Sequence, residues 1–102
     1  NYLGGVSMTK HDKIAEKLAK KFNTPYKSQK SIDLVTQGRV IEVETKKDSI
    51  YQGIKQVEKS PKARYLAVNK PNIKNALEAT QGTGIGVMGE TGKIIKKASR
   101  KK

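Results

Sequence analysis

Within SIDLVTQGRVIEVET, residues 31–45, Asp33, Glu42 and Glu44 are the side chains whose type and spacing could do chemistry. Two β-branched runs flank Gln37 and Gly38, the pattern of a hairpin closed by a two-residue turn. Centring the turn there sets Thr36 against Arg39, Leu34 against Ile41, and Asp33 directly opposite Glu42. Because strand side chains alternate, Asp33, Val35, Val40, Glu42 and Glu44 share one side, and Ile32, Leu34, Ile41 and Val43 share the other. The second side is wholly apolar and must face a core. Like charges opposite one another are unfavourable unless something compensates them, and a divalent cation is the simplest compensation. Mg²⁺, or Mn²⁺ in its place, takes one or two carboxylates and completes its shell with water and phosphate oxygens, a minimum that Asp33 and Glu42 supply. Such an ion lowers the pKa of a bound water and stabilises charge on a transferring phosphoryl group, the requirements of phosphodiester hydrolysis. The plainer reading is a solvated face whose acids pair with Arg39, Lys46 or Lys47, each surface pair contributing at most about 1 kcal/mol.

Composition narrows the partner. Lys and Arg number 22 against 9 acidic residues in a chain of 102, a formal charge of +13. That excess points to a polyanion, with DNA the first expectation and RNA the second. There is no Cys and a single His, which excludes disulfides, thiol catalysis and Cys- or His-rich zinc sites and leaves only an oxygen-liganded metal. No segment approaches the roughly 18 apolar residues of a membrane span, and no basic helix carries a broad apolar face, so a membrane partner is not expected. Residues 1–7 (NYLGGVS) lack the basic start and apolar run of a signal peptide, giving a cytoplasmic expectation. From Lys93 to the last residue there are six basic residues and no acid. Lys93, Lys96, Lys97, Arg100 and Lys101 are therefore candidate phosphate contacts that would not read bases, the plainer alternative being a solvating tail. One Phe and four Tyr form no alternating platform, which favours backbone-led duplex binding over base stacking. GTGIG, residues 82–86, lacks the spacing of a nucleotide loop.

The elements that must position the acids follow from periodicity. TKHDKIAEKLAKKF places Ile14, Leu18 and Phe22 on one stripe beside Ala15 and Ala19, an amphipathic helix capped by Thr9 and ended by Asn23, Thr24 and Pro25. Residues 26–30 read as a short polar edge strand or loop. After the hairpin, Asp48 or Ser49 caps a second helix to about Lys59, with Ile50, Ile54 and Val57 inward and Gly53 implying close packing. RYLAVN is a buried strand, Pro71 opens a third helix with Ile73, Ala76 and Leu77 inward, and alternating Gly82, Gly84 and Gly86 suggest a strand with one bare face. The order gives one layered α/β domain, a central mixed sheet flanked by helices. Residues 1–8 read as an extension or cloning remnant, 9–95 as the domain and 96–102 as a basic tail.

This order and these motifs resemble the PD-(D/E)xK nuclease superfamily, whose restriction-endonuclease-like core runs αβββαβ. The resemblance covers most of residues 9–90. Ile32-Asp33 is similar to its first acidic motif and Glu42-Val43-Glu44 to its second, which implies Asp33, Glu42 and the Val43 carbonyl as metal ligands. Small archaeal junction resolvases and restriction-like endonucleases are nearest in size and layout. The family usually has lysine where this chain has Glu44, although some restriction enzymes carry glutamate there. Glu44, or Lys46 if the strand continues, would then position the attacking water. The family often adds an acid from its first helix, and His11 stands nearest that place. Gln52 and Gln56 fall where relatives put a polar residue near the metal, though a solvated helix face explains them as well. The resemblance implies a Mg²⁺-dependent DNA endonuclease, in a homodimer where both strands are cut. The alternative is a non-catalytic DNA- or RNA-binding module that kept the core and lost turnover with its lysine.

Overall fold

The computed structural model describes residues 8–26 and 32–99. A five-stranded mixed sheet, ordered β1-β2-β3-β4-β5 in space as in sequence, is flanked by three helices. The strands are β1 (Leu34–Val35), β2 (Arg39–Glu44), β3 (Ala63–Val68), β4 (Gly86–Met88) and β5 (Ile94–Lys96). β2, β3 and β4 run parallel, with antiparallel β1 and β5 at the edges.

Helix α1 (Lys10–Lys21) begins where the Thr9 hydroxyl accepts the Asp12 amide at 3.1 Å, satisfying one of the donors a helix start leaves open. It ends at Phe22 and Asn23, the latter at φ 53°, a left-handed conformation that Asn tolerates better than most residues. Its Ile14, Ala15, Leu18 and Ala19 pack on Leu34, Ile41, Val43, Tyr65, Ala67 and Met88. Helices α2 (Ile50–Val57) and α3 (Ile73–Ala79) cover the opposite face through Ile50, Ile54, Val57 and Ala76, against Val40, Leu66, Val68, Ile85 and Val87. Both faces of β2 and β3 are therefore buried, as expected of parallel strands joined by helical crossovers.

The hairpin register agrees with the two-residue turn: Leu34 pairs with Ile41 and Val35 with Val40, and the Thr36 amide donates to the Arg39 carbonyl at 2.9 Å. The alternation predicted beyond Leu34 does not hold. Pairing stops there, Ile32 and Asp33 form a bend, and Ile32 packs with the α2–α3 cluster, not beside Leu34 and Ile41. A period of two constrains only residues held in a ladder.

Three other expectations are corrected. No side chain caps α2: a 3₁₀ turn (Lys47–Ser49) precedes it, and the Ser49 hydroxyl donates to the Lys46 carbonyl instead. Gly82 and Gly84 lie outside β4, at φ 75° and 78°, values that suit a turn. The buried Arg64 guanidinium fixes that turn by donating to the Thr83 and Glu58 carbonyls at 3.0 and 2.9 Å. The sheet also extends past the tail boundary expected at residue 96. Lys96 pairs with Val87, the Ala98 amide donates to the Tyr65 hydroxyl, and the Ser99 amide donates to the Gly84 carbonyl. A Cβ on Gly86 would come within 2.6 Å of the Ala98 amide nitrogen, so this residue admits the returning chain. Of residues 26–30, expected as a strand or loop, only Tyr26 is among the described residues.

Candidate metal site

At the carboxyl end of β2, and just before β1, the sheet gathers Asp33, Glu42 and Glu44, each less than a tenth exposed. The carboxyl ends of parallel strands are where open α/β sheets ordinarily bind ligands. The Asp33 bend turns its carboxylate back along the sheet, so that Oδ2 accepts the Val43 amide at 2.9 Å. Glu42 Oε1 accepts the Asp33 amide at 3.0 Å. Each acid thus closes a backbone donor that the interrupted ladder would leave unpaired. Val43, whose carbonyl the resemblance offers as a metal ligand, meets Asp33 through its amide.

Helix α1 supplies the counter-charge. His11 Nε2 donates to Asp33 Oδ2 at 3.0 Å, so the first helix does reach the acids, through an imidazole. This hydrogen bond raises the His11 pKa to about 9 against the opposing effect of burial, with the charges of Asp33, Asp12 and Glu44 adding to the rise. A protonated ring has two donors. Its Nδ1 faces the Tyr26 hydroxyl at 3.3 Å, which in turn donates to Asp12 Oδ1 at 2.7 Å. That hydroxyl holds the Asp12 carboxyl below its ordinary range. Sequence reasoning missed Tyr26, because nothing local to it signals a partner fourteen residues away.

The remaining two acids resist ionisation. Burial first, and then the Asp33 charge, push Glu42 up to about 8, with the Glu44 charge adding to the rise. Glu44 is raised by burial, partly offset by the Ser49 hydroxyl. Its carboxylate lies against α2, where a Cβ on Gly53 would come within 2.6 Å of Oε2 and 2.8 Å of Cγ. The mid-helix glycine is the space in which Glu44 sits. A double-mutant cycle tests this: Gly53→Ala is expected to destabilise the parent chain by roughly 1–2 kcal/mol through overpacking. In a Glu44→Ala background it should instead stabilise by up to about 1 kcal/mol through helix propensity. Equal effects in both backgrounds, read by denaturant unfolding, would sever the pairing of Gly53 with Glu44.

Whether Mg²⁺ suits this cluster turns on the free oxygens. No buried side-chain oxygen or nitrogen among the described residues lacks a partner, and no described residue hydrogen-bonds to Asp33 Oδ1 or Glu42 Oε2. An ion that keeps most of its waters would need little more from the protein than two such oxygens. The three acids are electrostatic neighbours but not a cage: no group of three or more His, Cys, Asp or Glu among the described residues is placed to hold a metal. What the cluster would offer a hard cation is therefore two carboxylate oxygens, with water completing the shell.

The outer candidates are dispersed. β2 ends at Glu44, and exposed Lys46 leads into the 3₁₀ turn, so the strand continuation that would have aimed it at the site does not occur. Gln52 and Gln56 are exposed on α2, as a solvated helix face would have them. Lys93 and Lys97 are exposed, but Lys96 is not a free cation: its ammonium donates to the Thr80 hydroxyl and carbonyl at 2.7 and 3.0 Å, and burial lowers its pKa. Arg100 and Lys101 lie outside the described residues. Among the described residues, no helix is long and apolar enough to cross a membrane. No family model, curated protein or solved structure matches the chain.

Proposed function

We propose that this chain is a metal-dependent nuclease of the restriction-endonuclease-like type, hydrolysing DNA phosphodiesters with Mg²⁺ or Mn²⁺ held by Asp33 and Glu42. One observation carries the reading: a chain of net charge +13 buries three of its few acids side by side at the carboxyl end of a parallel strand, two of them with an oxygen that no described residue hydrogen-bonds. Burying like charges together costs stability, and a site that must attract a cation explains that cost better than packing does.

Each residue has a distinct part. One oxygen of Asp33 and one of Glu42 are fixed by the Val43 and Asp33 amides, which positions the pair and leaves Oδ1 and Oε2 to hold the ion. His11 orients Asp33 by its hydrogen bond and balances one charge when the site holds no cation. Glu44, where the family's lysine usually stands, has a raised pKa and sits beside the other acids, a placement from which it can accept a proton from an attacking water. A bound ion would supply water activation and charge stabilisation at the phosphoryl group.

A cleavage panel tests the reading, with branched, duplex and single-stranded DNA and RNA in Mg²⁺ and Mn²⁺. Wild type is expected to cleave DNA only with metal. Glu44→Lys, which restores the family's usual residue, is expected to change the rate and its pH dependence without abolishing metal binding. Binding without cleavage by both proteins on every substrate would overturn the nuclease reading and favour the non-catalytic module.

A further inference from the structure

A basic groove along α1 is better placed to hold a polyanion than the C-terminal run singled out by sequence. α1 presents His11 to the acids on one flank, and on its other flank Lys10, Lys13 and Lys17 line a cavity of about 230 Å³ with Ile14 and Glu90. These lysines stand three and four residues apart, so they form one row on the helix. At 1.5 Å per residue the row is about 10 Å long, the axial rise of about three phosphates of one duplex strand. The far wall is the turn between β4 and β5, and α1 is tied to it at both ends. Lys10 pairs with Glu90 at 3.7 Å, and the Lys21 ammonium donates to the Thr91 carbonyl at 2.8 Å.

Between those ties, Lys13 and Lys17 are exposed, and neither ammonium has a hydrogen bond or ion pair among the described residues. The one acid in the groove, Glu90, is held by Lys10 and by the Lys70 amide at 3.4 Å. The C-terminal segment is less suited to the role, because Lys96 is committed to Thr80. We infer that the groove between α1 and the β4–β5 turn is a seat for a phosphodiester backbone, contacted by Lys13 and Lys17 and flanked by Lys10. This rests on the nuclease reading only for the choice of DNA as the polyanion. A strand seated there would lie along the same helix that carries His11 to the acids, which couples binding to the site through one rigid element.

The test is DNA binding by the full chain over a salt series, with duplex DNA and without metal. Removing one lysine–phosphate interaction is expected to reduce the slope of log K against log salt by about 0.9. Lys13→Ala/Lys17→Ala should therefore lose nearly two from the slope and roughly tenfold in affinity near physiological salt. Lys93→Ala/Lys97→Ala, of equal charge change, should lose less on both counts. Circular dichroism establishes that each variant is folded, and the exposed positions make unfolding a poor explanation for any loss. Equal losses from the two double variants would reduce the effect to net charge and overturn the seat. So would an unchanged slope in Lys13→Ala/Lys17→Ala, or binding of anionic lipid vesicles or an acidic peptide as tightly as DNA. The nuclease reading fails separately, by absence of metal-dependent cleavage, and the slope measurement does not depend on it.

Discussion

Glu42→Gln is expected to reduce metal-dependent cleavage at least about a thousandfold, roughly 4 kcal/mol of barrier at about 1.4 per factor of ten, with DNA affinity within about threefold of wild type. The amide keeps an oxygen for the Asp33 backbone donor, so the local fold survives, but it removes the charge that would hold the ion. Asp33→Asn should lose cleavage to the same extent by the same logic, retaining an acceptor for the Val43 amide. The two differ at His11. Only Asp33→Asn removes the charge from the oxygen that accepts the His11 hydrogen bond, so only that variant should return the imidazole towards its ordinary range, a change that proton NMR of the single histidine reads directly. Calorimetry with Mn²⁺ should give binding to wild type and none to either variant. Cleavage by Glu42→Gln within threefold of wild type would sink the nuclease reading, whatever the binding data show.

Legibility in the sequence followed how local each determinant was. Thr9 as a cap, Gln37-Gly38 as a two-residue turn, and the inward faces of α1 and α2 are set by residues within a turn or a pair of strands, and each was readable. The carboxylates were found because strand parity and turn register are both short-range. What parity could not supply was the end of the ladder. β1 pairs over only two residues, so Asp33 escapes the alternation and turns its carboxylate back to the Val43 amide. That departure lets a residue of α1 reach it across 22 positions of sequence.

The glycines near residue 84 misled for a related reason. Period-two spacing of Gly82, Gly84 and Gly86 is common to a bare-faced strand and to a turn with alternate left-handed residues, and only Arg64 anchoring the turn decides between them. The basic C-terminal run reads as a set of phosphate contacts, or more plainly as solvating charge, yet the packing of one ammonium against Thr80 makes Lys96 structural. The sequence marked the apolar stripe of α1 but not the row of Lys10, Lys13 and Lys17 beside it. That it lines a groove depends on where the β4–β5 turn packs, which no local pattern encodes.

The same cluster predicts a stability profile opposite in sign to ordinary acid denaturation. His11 has a folded pKa of about 9 against 6.5 unperturbed, so its contribution is fully present below about pH 6.5 and is lost as pH rises through 9. Glu42 is raised from 4.5 to about 8, because the folded state prefers the neutral acid. Its contribution is likewise complete below about pH 4.5 and disappears as pH rises through 8. Both groups favour the folded chain in its more protonated form, and together they place the decline between about pH 5 and 9. At about 1.4 kcal/mol per pH unit, the Glu42 carboxyl alone would remove on the order of 3–5 kcal/mol, a large share of the stability of a domain this small. Tm measured without metal is therefore expected to fall by more than about 10 °C from pH 5.5 to 9. Glu42→Gln should flatten most of that fall, since an amide does not titrate and the Asp33 amide remains satisfied. Mg²⁺ or Mn²⁺ should flatten it in wild type but not in Glu42→Gln, because a cation stabilises the ionised acids and binds more tightly as their protons leave. A wild-type Tm that is level or rising across this range would show that the buried acids carry no such strain, and would remove the physical argument for a cation between them.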